Sequence, residues 1–234
     1  MKCCEHGFSV MPVCSVFRMP DAASAAECLR GGGVLIFPTE TFYAIGCLAA
    51  DTRAVSLIYR AKRRPAKRPL PILAADARQA DTVAQLSAAP AKLFSRFWPG
   101  PLTVLLPARA SLAAPLVNDA GKIAIRVTSH PLAAELSRRS GGVLTASSAN
   151  MHNGRPVCSP DKLDRELLAS LRALQVPCGI LEGGSTPAGG LPSTLVEPVS
   201  DRDTATRPYL RIARAGAVSA EALAATGFAC RADT

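Results

Sequence analysis

The 234-residue chain is poor in acidic side chains, with 18 Asp and Glu against 27 Lys and Arg, and it has one Trp, three Tyr and three His. Its eight cysteines contain no Cys-x-x-Cys pair, so the spacing supports neither a zinc site nor a disulfide framework. No window holds the ~18 uninterrupted apolar residues that a membrane-spanning helix needs. The Gly-x-x-x-x-Gly-Lys-Ser/Thr phosphate loop is missing, and Gly31-Gly32-Gly33 leads into a strand instead of opening a helix. With 48% hydrophobic and 19% charged residues the bulk cannot be intrinsically disordered. These exclusions leave a globular chain without membrane contact, expected in the reducing cytoplasm. Cys47, among Ile45, Leu48 and Ala49, reads as a small buried hydrophobe; Cys3 and Cys4 read as thiols on a frayed terminus. Glu5, His6 and Pro12 spoil a signal-peptide pattern. Residues 1–17 are expected to be a disordered leader and 18–234 a single domain.

The formal charge of +9 calls for an anionic partner, and its distribution sharpens the point. Between Thr52 and Ala75 there is no acidic residue, yet Arg53, Arg60, Lys62, Arg63, Arg64, Lys67 and Arg68 lie there. Such a run is either a phosphate grip or a solvated basic loop.

Short β-type runs alternate with amphipathic helical patterns, the signature of an α/β fold. Strands are expected at Val34–Phe37, Leu70–Ala74, Leu102–Leu106, Ile123–Val127 and Val143–Ala146. Helices are expected at Ala22–Leu29, Ala54–Ala61, Pro90–Trp98 and Pro131–Arg139. Beyond Ala149 the pattern predicts helices Lys162–Leu174 and Ala220–Ala225, with strands near Gly179–Leu181, Thr194–Glu197 and Tyr209–Ala213. There is no internal repeat.

Chemistry-bearing residues gather where strands end, the usual place for ligands in open α/β sheets. Pro38-Thr39-Glu40-Thr41-Phe42-Tyr43 puts two hydroxyls and a carboxylate after a buried strand, either as ligand groups or as a turn bonding its own backbone. In Tyr59–Leu70 a helix is stopped by Pro65 and a cationic loop follows. Phe97-Trp98-Pro99-Gly100-Pro101-Leu102-Thr103 reads as architecture. Arg126 sits between apolar Ile125 and Val127, so it is either paired structurally or reserved for a carboxylate ligand. His130, before the helix-starting Pro131, reads as a cap or packing residue rather than a base. Thr145-Ala146-Ser147-Ser148-Ala149-Asn150 offers hydroxyls and an amide, followed by Gly154-Arg155-Pro156 and Ser159-Pro160. Pro192-Ser193-Thr194 and Leu210–Gly216 close the set.

Taken in order, Pro-Thr-Glu-Thr-Phe-Tyr at 38–43, Lys-Arg-Arg-Pro at 62–65 with Arg68-Pro69-Leu70, Trp-Pro-Gly-Pro-Leu-Thr at 98–103, Ile-Ala-Ile-Arg at 123–126, Ser-Ser-Ala-Asn at 147–150 and Ser-Thr at 193–194 resemble the YrdC-type threonylcarbamoyl-AMP synthases. The resemblance runs from about Ala22 to Gly216. It implies a single α/β domain with a twisted mixed open sheet curved around a basic cavity. It also implies a nucleotidyltransferase reaction joining L-threonine, bicarbonate and ATP with release of pyrophosphate, for threonylcarbamoyladenosine in tRNA. Under it, Thr41, Arg126, Ser148 and Ser193 hold threonine, with Arg126 facing its carboxylate. Lys62, Arg64, Arg68, Lys122, Asn150, Ser159 and Arg214 hold ATP, with Lys62 and Arg64 as an electrostatic phosphate clamp. Mg2+ accompanies the nucleotide without a protein-only site, and tRNA or other tRNA-modification proteins are further partners. No acid/base or nucleophile set is present, so acceleration would rest on positioning and charge neutralisation.

The chain departs from the family pattern at Ala44-Ile45, where Gly-Leu is usual, and at Leu73, where some relatives carry a threonine-contacting His. It departs again at Met151–Gly154, at Val157-Cys158, and in the longer stretch Val199–Pro208. Two other readings fit the same residues: a same-fold nucleotide- or RNA-binding paralogue without synthesis, and a carbamoyl-transfer relative. The clamp reading expects alanine at Lys62 or Arg64 to impair turnover without affecting folding, with Arg63 and Lys67 as inert controls.

Overall fold

A computed structural model describes residues 16–19, 21–109, 112–175, 177–199 and 209–232. Twelve strands are present among them: β1 Val16–Met19, β2 Val34–Pro38, β3 Tyr43–Gly46, β4 Ile72–Ala74, β5 Leu102–Pro107, β6 Lys122–Val127, β7 Leu144–Thr145, β8 Ser147–Ser148, β9 Cys178–Leu181, β10 Thr194–Val199, β11 Tyr209–Arg214 and β12 Ala229–Ala232. The helices are α1 Ala22–Arg30, α2 Thr52–Ala61, α3 Ala77–Asp81, α4 Ala91–Phe97, α5 Pro131–Ser140, α6 Arg165–Ala173 and α7 Ala220–Ala224.

Local chemistry sets the helix starts. Asp21, Asp51 and Asp76 each accept a backbone N–H three residues on, at 2.8, 2.9 and 2.9 Å, capping α1, α2 and α3. The face of α2 carrying Ala54, Leu57, Ile58 and Ala61 is buried, as its spacing predicts. Asp164 caps α6, so this helix begins at Arg165 rather than Lys162, and a short 3-10 turn at Pro160–Lys162 precedes it.

The strands form two mixed sheets, β1-β9-β2-β3-β8 and β12-β11-β10-β5-β6-β4-β7. Their inner faces share one continuous apolar cluster. The expected strand Val143–Ala146 is in fact the seam between the sheets: β7 pairs with β4, Ala146 N–H bonds to Pro71 O at 2.8 Å, and β8 crosses to pair with β3. Gly46 makes the seam possible, because a Cβ there would lie 1.9 Å from the Thr145 carbonyl oxygen. The expected strand from Leu70 starts only at Ile72, since Pro69 and Pro71 cannot donate to a ladder.

Besides β8, four of the numbered elements escaped the sequence reading. β1 pairs in parallel with β9 and includes Val16 and Phe17 of the expected leader, while residues 1–15 of that leader lie outside the described residues. β3 was read as part of a loop, α3 is short, and β12 is largely exposed without alternation. Residues 200–208 of the long stretch before β11 are also outside the described residues. Among the described residues no helix is long and apolar enough to cross a membrane.

Candidate active site

Where the two sheets meet, a cavity of about 610 Å3, its open mouth included, is lined by Thr41, Arg64, Arg126, Ser148, Ser193 and Arg214 together with apolar walls from Phe42, Ala44, Pro71 and Ala146. Each polar group arrives by a traceable route. Thr39 Oγ1 donates to Phe42 O at 2.7 Å, folding the β2–β3 turn so that buried Thr39 and Thr41 both reach the cavity. The turn reading of this segment holds through the hydroxyl of Thr39, and Thr41 lines the cavity beside it. Ala44, between Phe37 and Ser148 in register, brings its extra methyl to the wall without leaving the sheet.

Arg64 follows α2. Its Nε and Nη2 donate to the carbonyls of Arg68 and Pro69 at 2.7 and 3.1 Å, which curls the basic loop around the guanidinium. Ser193 precedes β10, and the parallel register of β10 with β5, Leu195 against Thr103, places Ser193 Oγ 2.8 Å from Thr103 Oγ1. The serine oxygen also accepts from Arg214 Nη2 at 3.0 Å and Arg126 Nη1 at 3.5 Å. Gly216 allows this approach, since a Cβ there would sit 2.3 Å from Pro192 O. Thr103, assigned above to architecture, thus organises the site; a hydroxyl in the apolar strand Leu102–Leu106 was the available signal. The Trp98 part of that segment is architectural as expected, with Nε1 donating to Leu102 O at 2.7 Å and the ring stacked on Phe94.

Arg126 is paired structurally, one of the two roles the sequence allowed, and its place on the cavity wall leaves it available for the other. Its Nε lies 2.8 Å from Glu40 Oε1, and it also lines the cavity. Three arginines share the wall, and no Asp or Glu is among the described residues lining it. Burial and then the charges of Arg126 and Arg64 push the pKa of Arg214 down. Burial, with Arg68 contributing, does the same for Arg64. A guanidinium stays charged regardless, so the crowding registers as repulsion that an anionic ligand would relieve.

Lys62 differs from the exposed loop cation that its sequence context suggested. It is fully buried, with Nζ donating to Ser148 O at 2.6 Å and to Asn150 O. Burial pushes its pKa down to about 8, Arg64 acting in the same direction and Asp164 opposing. It is a strut behind the Ser148 wall, so the expectation that replacing it leaves folding untouched on grounds of exposure is withdrawn.

Besides Lys62, four further expected ATP ligands stand off the cavity wall. Arg68 is exposed and serves through its carbonyl. Lys122 is ion-paired with Glu197, which also takes Arg211. Asn150 spends its amide nitrogen on Met151 O and Gly154 O at 2.6 and 2.8 Å, closing the 150–154 loop, while its Oδ1 is buried without a partner. Ser159 caps the 3-10 turn and borders a neighbouring pocket with Glu182, separated from the main cavity by Tyr43. His130 holds the N-cap position of α5 without a side-chain capping bond, and its buried ring has Nε2 against Ser185 O at 2.8 Å, so both expected roles are found. Burial raises the thiols of Cys28, Cys47 and Cys178 to about 11, 12 and 12, keeping them protonated and structural.

Comparison with known proteins agrees with the fold. Residues 27–211 match the model of the Sua5/YciO/YrdC family, described as telomere recombination. The threonylcarbamoyl-AMP synthase of Bacillus subtilis is 40% identical over 194 residues, covering 81% of this chain and 53% of the relative. That of Stenotrophomonas maltophilia is 35% identical over 191 residues, covering 80% and 96%. The chain therefore spans about half the length of the first and nearly all of the second. Sua5 of P. abyssi in complex with L-threonine superposes with a TM-score of 0.74 at 28% identity, covering 93% of this chain and 62% of that one. By sequence and by architecture alike, the chain belongs to the Sua5/YciO/YrdC family.

Proposed function

We propose that the protein is a threonylcarbamoyl-AMP synthase, a nucleotidyltransferase acting on L-threonine, bicarbonate and ATP in the cytoplasm ahead of tRNA modification. One observation carries the reading: a single cavity is lined by Thr41, Ser148, Ser193 and Arg126 together with Arg64 and Arg214, and no carboxylate is among the described residues lining it. Hydroxyls and one guanidinium suit an amino acid; the excess positive charge suits a triphosphate. A structural relative was solved with L-threonine, which supports the first assignment.

In the reaction, the threonine amine attacks bicarbonate to give the carbamate, with loss of water. A carbamate oxygen then attacks the α-phosphorus of ATP, and the bond to the β-phosphate oxygen breaks to release pyrophosphate. Arg126 and Ser193 would fix the threonine carboxylate and Thr41 and Ser148 its polar groups, so that the amine points toward the phosphates. Arg64 and Arg214 would neutralise charge gathering on the leaving pyrophosphate. Lys62 would act from behind the wall by holding Ser148. Arg68, Lys122, Asn150 and Ser159 would join the nucleotide only if it extends beyond the present cavity wall. Magnesium would enter on the phosphates: among the described residues no group of three His, Cys, Asp or Glu is arranged to hold it. Isotopically labelled bicarbonate should appear in a threonine- and AMP-containing product by mass spectrometry; label absent from any nucleotide product would remove the assignment.

The basic loop supplies its own controls. Arg63 pairs with Glu166 at 2.6 Å, both largely exposed, and Lys67 is exposed. Exposed pairs contribute only about 0–1 kcal/mol, so Arg63→Ala and Lys67→Ala should keep turnover within about twofold. Arg64→Ala should lower kcat by about 100-fold or more, as for removal of a transition-state donor. Steady-state turnover of the three variants checks this, and equal tolerance at 63 and 64 would contradict the clamp.

A further inference from the structure

Glu40 lies in the β2–β3 turn between two cavity-lining threonines, yet it is not among the residues lining the cavity, and the reaction outlined above gives it nothing to do. Its side chain is 9% exposed. Oε2 accepts a hydrogen bond from Thr128 Oγ1 at 2.6 Å, and Oε1 lies 2.8 Å from Arg126 Nε. The second contact is electrostatic rather than a directed hydrogen bond, since neither Oε1 nor Nε has a hydrogen-bonding partner although both are buried. Thr128 is held in turn by the His130 N–H at 3.1 Å, and the Glu40 carbonyl accepts from Ala188 N–H at 3.2 Å. The carboxylate is therefore fixed from several sides and sits behind the guanidinium, on the edge opposite the Nη1 that reaches toward Ser193.

We propose that Glu40 is the positioning and specificity-determining residue of the Arg126 end of the cavity. It turns the Nη edge of Arg126 toward the ligand and offsets its charge, so that this end takes a monocarboxylate zwitterion and leaves polyanions to Arg64 and Arg214. The inference rests on the threonine-and-ATP reading given above and deepens it. Electrostatics gives the reason. A guanidinium in low dielectric without a counter-charge attracts a phosphate more strongly than a single carboxylate, because the attraction scales with ligand charge. With a carboxylate fixed behind it, the local field falls while the directional N–H groups remain, which favours a ligand recognised by geometry over one recognised by charge. Among the described cavity neighbours, Glu40 is the acid whose contact reaches a lining arginine.

Two variants separate orientation from charge. In Glu40→Gln the amide oxygen can face Arg126 and the amide nitrogen can donate to Thr128, so geometry is kept and charge lost. In Glu40→Ala both are lost. Calorimetric titration of purified full-length wild type and variants with L-threonine, ATP and inorganic pyrophosphate is the test. The expected result is that Glu40→Ala weakens threonine by about tenfold or more while ATP changes less than about threefold. Glu40→Gln should hold threonine within about threefold of wild type yet bind pyrophosphate about fivefold tighter or more. Threonine binding unchanged in Glu40→Ala, or pyrophosphate binding unchanged in a folded Glu40→Gln, would overturn the proposal. Wild type that binds neither threonine nor ATP would instead overturn the function on which it rests.

Discussion

Arg126→Ala is expected to raise the threonine KM by roughly 10- to 150-fold, the equivalent of about 1.5–3 kcal/mol for a charge-assisted contact, while the ATP KM changes little. The side chain is 6% exposed, enters the cavity from the middle of a buried sheet, and has Leu73 as its neighbour on β4. The substitution also strands Glu40, since removing one partner of a buried pair costs about 3–5 kcal/mol. A fall in activity alone would therefore be ambiguous. The double substitution Arg126→Met with Glu40→Gln resolves it, because it leaves no uncompensated charge: the melting temperature should recover toward wild type and threonine binding should not. If the double variant regains threonine affinity along with stability, Arg126 is a structural ion-pair partner and not the carboxylate site.

Lys62→Met should cut turnover by about 100-fold, because losing the strut misplaces the Ser148 wall, while changing stability only modestly. Two terms oppose each other. Ser148 O and Asn150 O lose their donor, at about 1–3 kcal/mol each. Against this, removing a buried ammonium whose pKa has fallen from 10.5 to about 8 relieves about 3 kcal/mol of desolvation. The net lies between about −1 and 3 kcal/mol, but the Ser148 wall is no longer anchored. The pH dependence has a definite sign. Because the folded-state pKa lies below the unfolded value, the unfolded chain binds more protons between about 8 and 10.5, so the contribution of Lys62 to stability rises with pH across that window and is least favourable below it. Thermal melts of wild type and Lys62→Met at pH 7 and pH 10 should show the wild type gaining relative to the variant at the higher pH. A difference independent of pH would mean that the lysine is not desolvated as its burial indicates.

Much of this was legible in the sequence because the signals are local. The helix start at Ala22 and the apolar face of α2 follow from periodicity, and strand β2 is a continuous apolar run. Thr41, Arg64, Arg126, Ser148, Ser193 and Arg214, drawn from segments far apart in the chain, were gathered in advance by resemblance to ordered motifs, and the cavity brings them together. What was not legible depends on tertiary placement. A lysine in a run of cations reads as exposed; only the approach of the 148–150 segment buries Lys62. Lys122 sits in the same strand as Arg126, but its partner Glu197 lies in β10, which the sequence cannot bring alongside. The seam at Ala146 follows from Pro71 and Gly46 acting together, two residues that a strand-by-strand reading treats separately. Thr103 and Glu40 were visible as residue types, but their orientation toward Ser193 and Arg126 comes from strand register and turn geometry.

The central claim is that one cavity couples an amino acid, bicarbonate and the triphosphate, and pyrophosphate release from ATP tests it most directly. The purified chain, assayed with threonine and bicarbonate each omitted in turn, should release pyrophosphate only when both are present, and omission of either should reduce the rate to background. Release that is indifferent to threonine would contradict the account, because the Arg126 end of the cavity would then have no part in the reaction.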